Sequence, residues 1–328
     1  IEARLTLGFA SSQPLFRSMA WEADTVYEQW RDLNFGPWTP QLEAAGVTAT
    51  FVQLGQMEAL DGPERLPEFV AAAHRLFDEL GRRTQRLVII SPIPFERPLA
   101  PDAPDLSRRN GDLALYVDAL KEIARTRQAV FVDLFTMLTA SSTTPRLTED
   151  GIHLTEAGQR HVAALLANAL GAGESVQDLS ALRAAIVRKN QLWFDLWRPA
   201  NWSFAYGDRV SQPYAQAHGD GPSLQETFER QLPLTRQADE RIHALVNGAT
   251  PAPLPPLPPT APGPEALTPE EQLETFTVAE GFDASLFSSE AHGLFIPTQI
   301  SFYPSCLLYF SFSPSYPQPP PLAPFLLF

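Results

Sequence analysis

A chain of 328 residues with 44% hydrophobic content is long enough for one well-buried domain with smaller parts appended. Its 24 Lys+Arg against 38 Asp+Glu give a formal charge of -14, which repels phosphate backbones and leaves no basic stripe for nucleic acid or anionic lipid. The single cysteine, Cys306, excludes an intrachain disulfide and a cysteine-based zinc cluster. The sequence opens at Ile1 without an initiator Met, a basic segment or an apolar leader, and is read as a piece whose beginning lies upstream.

From about Leu15 to Leu170, β-rich runs alternate with helical patterns, the order that lays strands parallel with crossover helices packed on them. The strands are expected at Val47–Leu54, Arg86–Ile90 and Ala129–Asp133. Leu66, Phe69, Val70, Ala73, Phe77 and Leu80 recur at helical spacing after an Asp61-Gly62-Pro63 start, as do Leu113, Tyr116, Val117, Leu120 and Ala124. Residues 173–248 read as a helical extension, marked by Trp193, Phe194, Trp197, Arg198, Pro199, Asn201, Trp202 and Tyr206 to Asp208. Those rings are expected to anchor the extension onto the preceding domain, with sugar stacking as the other role open to them. Residues 249–267 include the proline-rich run Pro251–Pro264, an extended linker and a domain boundary. Beyond it, in 268–328, Thr268 and Glu271 signal a helix start. Phe276–Glu290 mixes apolar and acidic residues, and Ser301–Phe328 carries no charge and no clear period. That end has no proline-free apolar run of about 18 residues, so no membrane span is expected.

The chemistry centres on Asp150-Gly151-Ile152-His153. A carboxylate three residues before a histidine, with a glycine letting the loop fold back, can accept the Nδ1 proton and leave Nε2 free as a general base. The motif follows the last expected strand and runs into a helix that Thr155 caps and that Val162, Leu165, Leu166 and Ala169 give an apolar face. Loops at the end of a parallel sheet are where open α/β folds place their sites. Glu58 follows the Leu54 to Met57 run and Glu96 follows the Ser91-Pro92 strand end; structural hydrogen bonding is expected of each, with lining the cleft as the other role open to them. His74, His161, His218, His243 and His292 lack ligand partners at a recognisable spacing, so no metal is expected. No glycine-rich phosphate loop is present, and no cofactor is expected.

Four blocks carry a family resemblance: Phe16 to Val26, Leu54-Gly55-Gln56-Met57-Glu58, Ser91-Pro92-Ile93-Pro94, and Asp150-Gly151-Ile152-His153-Leu154-Thr155. In order and spacing they resemble the SGNH (GDSL-like) hydrolase domain of planctomycete-type multi-domain proteins. Arg198 to Asp208 and Glu280-Gly281-Phe282 to Glu290 resemble the extension and the start of a β-propeller, dehydrogenase-like domain of the same proteins. The resemblance implies a flavodoxin-like, three-layer α/β/α domain over 1–172 that lacks its first block, and a truncated propeller-like start over 268–328. It implies a small-molecule or carbohydrate ester as substrate, an extracytoplasmic location, and Asp150 and His153 as catalytic residues. It gives no oligomeric state.

The sequence departs from the family where charge develops during acyl transfer. The resemblance places the nucleophilic serine in a block ahead of this segment, so no residue here takes that role, and Ser11, Ser12 and Ser18 read as ordinary loop serines. The resemblance places Ala20, Gly55 and Met57 in the oxyanion region; Ala20 stands where the family has glycine, and Met57, where it has asparagine, has no side-chain donor. Loss of one such donor costs on the order of 10²–10³ in rate. Two functions stay open: an ester hydrolase, with a carbohydrate deacetylase as one form, whose Asp-His pair activates a serine outside this chain, and a catalytically inactive SGNH-fold module that binds or spaces.

Overall fold

The structure, a computed structural model, describes residues 1–21, 23–29, 37–84, 86–99, 103–140, 146–173, 178–197, 207, 209–211, 223–254 and 267–289, with the backbone of 297–302 and 308–312. Glu22, 198–206, Asp208, His218, most of the proline-rich run, Glu290, His292, Cys306 and most of the tail lie outside the described residues. Residues 1–255 form one compact unit and 256–327 another.

The first unit is mixed α/β and is built on three parallel strands, β1 (Thr50–Gln53), β2 (Leu87–Ile90) and β3 (Val130–Val132), in that spatial order. The crossovers are α3 (Leu66–Gly81) and α4 (Asn110–Arg127). In α3 the apolar spacing puts Phe69, Ala72, Ala73, Leu76, Phe77 and Leu80 on one buried stripe, and in α4 it does the same for Leu113, Tyr116, Val117, Leu120, Ile123 and Ala124. Each fully buried Leu or Phe among them contributes about 1.5–3 kcal/mol. The stripes meet at Phe69 and Tyr116, whose ring centroids lie 4.7 Å apart, and the Tyr116 hydroxyl donates to the Gly62 carbonyl at 2.8 Å. That bond satisfies an otherwise orphaned buried donor.

Every residue of β2 is buried, as expected of a strand covered on both faces. Leu87 and Ile89 join the core made by α3 and α4, whereas Val88 and Ile90 join Val132, Leu134, Leu138, Leu147, Leu154, Val162 and Leu166. This second group comes from β3, α5 (Leu134–Thr139), the loop after it and α6 (Glu156–Ala169). The strands are shorter than the β-rich runs because neighbouring helices take their ends. The Val47 amide donates to Leu42 at the end of α2 (Trp38–Ala44), the Ala129 amide donates to Ala124 of α4, and the Asp133 side chain caps α5 by accepting from the Thr136 amide.

A helical group completes the unit. α7 (Ser180–Trp197) and α9 (Leu232–Val246) pack together, after the short α8 (Leu224–Glu229), and α1 (Glu2–Gly8) inserts Ala3 among Leu182, Ala185, Ile186 and Ile242. Residues 16–18 are fastened to these helices one after another. Lys189 Nζ donates to the Phe16 carbonyl at 2.9 Å, Arg17 pairs with Asp239, and Trp193 Nε1 donates to the Ser18 carbonyl at 2.7 Å. Trp193 also stacks on Trp197 and lies beneath the Arg17 guanidinium, so this ring acts as an anchor. In the second unit, Thr268 and Glu271 close a capping box on α10 (Pro269–Glu274), while β4 (Pro297–Phe302) and β5 (Leu308–Phe312) pair antiparallel. No helix among the described residues is long and apolar enough to cross a membrane.

Candidate functional site

Because the strands run parallel, the loops that follow β1 and β2 leave the same end of the sheet. Gln53 Nε2 donates to the Ser91 carbonyl at 3.1 Å, and Gln56 Nε2 donates to the Ile93 carbonyl at 3.0 Å, which ties the two loops together. Against the second of them lies the loop that precedes α6. Leu147 to Thr155 doubles back through an antiparallel bridge between Thr148 and Leu154, with Glu149 N donating to His153 O at 2.9 Å and Thr155 N donating to Leu147 O at 2.7 Å. Thr155 then caps α6, accepting from the Gly158 amide at 3.0 Å. Asp150, Gly151 and Ile152 are left at the tip.

At that tip Asp150 and His153 meet. Asp150 Oδ2 lies 2.7 Å from His153 Nδ1, while Oδ1 accepts from the Ile152 amide at 3.0 Å and the His153 amide at 2.8 Å. Burial pushes the Asp150 carboxyl up, but the hydrogen bonds from the His153 amide, the His153 ring and the Ile152 amide outweigh it and hold its pKa below the ordinary aspartate value. The carboxylate is therefore charged at neutral pH and faces Nδ1, the arrangement that assigns the proton to Nδ1 and leaves Nε2 as an acceptor. The side chains are 49% and 75% exposed, so the pair sits on an open surface. Among the described residues no hydroxyl lies within hydrogen-bonding distance of Nε2.

Gly151 is required by its backbone. Its φ is +104°, and a Cβ there would stand 2.4 Å from the Glu96 carbonyl oxygen. Glu96 holds the stem of the same loop, with its carboxylate accepting from Leu147 N at 3.1 Å, Thr148 N at 2.8 Å and Thr148 Oγ1 at 2.5 Å. Arg146 adds a second tie, donating to the carbonyls of Arg97 at 2.7 Å and Thr148 at 2.8 Å.

The residues expected in an oxyanion region are placed differently. Gly55 is buried with φ +109°, and its amide donates to Glu58 Oε2 at 2.9 Å. Glu58, itself buried, also accepts from the Val26 amide at 2.8 Å, so it joins the segment containing Ala20 to the loop after β1. Met57 is 53% exposed and Ala20 is exposed. Met19, Leu54 and Ile152, the chain neighbours of Ala20, Gly55 and His153, pack against one core, although no hydrogen bond joins His153 to the other two positions. Glu58 and Glu96 make the structural hydrogen bonds read for them, but their reach was not legible, because their partners lie 32 and about 50 residues away in sequence.

Other groups stand apart from the pair. His74 Nδ1 lies 2.9 Å from Arg127 on the α3–α4 surface. A shallow depression of about 270 Å³, lined by Pro37, Trp38, Leu76 and Glu79 among others, does not include the pair. Among the described residues no three His, Cys, Asp or Glu side chains gather as a metal site requires. Comparison of the chain with family models, curated proteins and solved structures returned no match.

Proposed function

We propose that the chain is the base-bearing part of an ester hydrolase of SGNH type, acting on small-molecule or carbohydrate esters, with Asp150 orienting His153 as general base. The single observation that carries this reading is the 2.7 Å contact between Asp150 Oδ2 and His153 Nδ1 on a loop against the end of a parallel sheet. The assignment of β2's two faces to separate helical cores supports a three-layer α/β/α arrangement of the SGNH kind. The hydroxyl that Nε2 would deprotonate belongs, in this reading, to a serine outside the chain. His153 takes the serine proton as the oxygen attacks the acyl carbon, and returns it to the departing alcohol.

The test is hydrolysis of aryl and sugar acetates by the complete gene product, with and without His153→Ala. The substitution is expected to lower the rate by about 10²–10⁴-fold. Equal rates for the two proteins would remove the catalytic reading. Under the same reading, residues 1–328 alone hydrolyse aryl esters no faster than their His153→Ala version.

One observation favours the second reading, a catalytically inactive SGNH-fold module. The Gly55 amide is committed to Glu58, and exposed Met57 offers no side-chain donor, so neither the Gly55 amide nor the Met57 side chain serves a developing oxyanion.

A further inference from the structure

The Asp150–His153 contact is exposed, and an exposed hydrogen bond contributes little by itself to holding two side chains in one geometry. Its orientation has to come from the loop that bears it. Leu147, Leu154 and Ile152 pack into the cores and Arg146 ties the stem, but one residue hydrogen-bonds both the stem and the tip of that loop. Glu96 lies six positions beyond the end of β2, on a segment whose neighbour Phe95 is buried in the main core. The Phe95 backbone is itself clamped at both its amide and its carbonyl by the Asn110 side chain at the start of α4, at 2.9 and 2.8 Å. From this rigid base the Glu96 carboxylate reaches the loop stem at Leu147 and Thr148, while its amide donates to the Gly151 carbonyl at the tip, at 2.9 Å. The Glu96 carbonyl oxygen fills the space a side chain at position 151 would need. Stem and tip are thus both fixed to one residue, on either side of Asp150.

We propose that Glu96 is the positioning residue of the Asp150–His153 pair, setting the direction of the Asp150 carboxylate through the main chain on both sides of it. Its consequence for catalysis rests on the ester-hydrolase reading. Its physical content does not. A carboxylate that accepts from two backbone amides and a hydroxyl makes charge-assisted bonds, each stronger than a neutral one, and a neutral or shorter side chain at position 96 gives up part of that set. With the stem released, the turn that aims the Ile152 and His153 amides at Asp150 Oδ1 loosens, and the carboxylate loses bonds that hold its pKa below the ordinary aspartate value.

The experiment uses the full 328-residue chain and follows the Asp150 carboxyl carbon by NMR titration, together with amide exchange, in the parent, Glu96→Gln, Glu96→Ala and Thr148→Val. In the parent, Asp150 is expected to titrate below the ordinary aspartate range. Glu96→Ala is expected to raise that midpoint by about 1 unit or more and to speed exchange of the Ile152 and His153 amides by at least about tenfold, with α4 amides unchanged. Glu96→Gln, which keeps one oxygen acceptor, and Thr148→Val, which removes one donor, are expected to give smaller shifts in the same direction. Should Glu96→Ala fail to fold, these two milder variants decide the matter alone. An Asp150 midpoint that stays at the parent value in the folded variants overturns the proposal, as does faster exchange spread evenly through α4. Ester turnover is not read here, so an inactive complete protein would end the hydrolase reading and leave this result standing.

Discussion

Lys189 is the only charged side chain among the described residues with no exposed surface, and neutralising it measures how strongly the helical group holds the start of the chain. Its ammonium pairs with Glu2 Oε1 at 2.7 Å and donates to the Phe16 carbonyl at 2.9 Å and Asn190 Oδ1 at 2.6 Å. Lys189→Met keeps the length of the stem and removes the charge, leaving the Glu2 carboxylate with the Asn190 amide at 3.2 Å as its remaining donor. Breaking a buried pair from one side costs about 3–5 kcal/mol, and because Glu2 keeps 14% exposure the lower end applies, about 3 kcal/mol. The double variant Glu2→Gln/Lys189→Met removes the orphaned charge as well and is expected to cost only about 1 kcal/mol. Urea unfolding followed by tryptophan fluorescence reads both values. Burial also pushes the Lys189 pKa below its ordinary 10.5, against the pull of Glu2. Between the lowered folded value and 10.5 the unfolded chain binds more protons, so this group makes stability rise with pH across that window. A Lys189→Met protein within about 0.5 kcal/mol of the parent, or a double variant costing the sum of the singles, would refute the reasoning.

Gly151→Ala combines a positive φ with a Cβ 2.4 Å from a backbone oxygen that has no flexible end to move aside. It is expected to cost about 1–3 kcal/mol by thermal unfolding and to displace the Asp150 and His153 resonances, and unshifted resonances would contradict the geometry. Glu58→Ala strips the acceptor from the Val26 and Gly55 amides, both of them buried, and is expected to cost at least about 2 kcal/mol. The matching signature is faster exchange at those two amides, and protection equal to the parent's would count against the clamp.

What the sequence disclosed followed from the range of the interactions that decide each feature. The strands and α3, α4 and α6 were legible because burial on one face writes a period into neighbouring residues. The Asp150–His153 pair was legible because both partners fall within four residues of one glycine-containing turn. The strand ends were not, since Val47, Ala129 and Asp133 are claimed by the caps of adjoining helices, a competition that propensity does not record. α1 and α2 are seven residues each and bury few side chains, too short for a period to stand out. The fastening of residues 16–18 was invisible for a different reason: Arg17 and Asp239 are 222 positions apart, and nothing local to either marks the other.

The same distinction bears on how the candidate site is built. The Asp150 carboxylate takes two backbone amides on one oxygen and the imidazole on the other. Two of its three bonds are therefore made by the loop and do not need the histidine ring, so the carboxylate is aimed before the imidazole arrives. In water-exposed surroundings the ring bond alone is too weak to do this, because charges there are screened and the side chains recover entropy when they part. A turn held at its stem by Glu96 and Arg146 and at its tip by the Glu96 backbone supplies the missing constraint. The resulting arrangement separates two tasks. The short-range sequence Asp150 to His153 carries the groups that would handle a proton, and contacts about 50 residues away in sequence determine whether those groups point at one another.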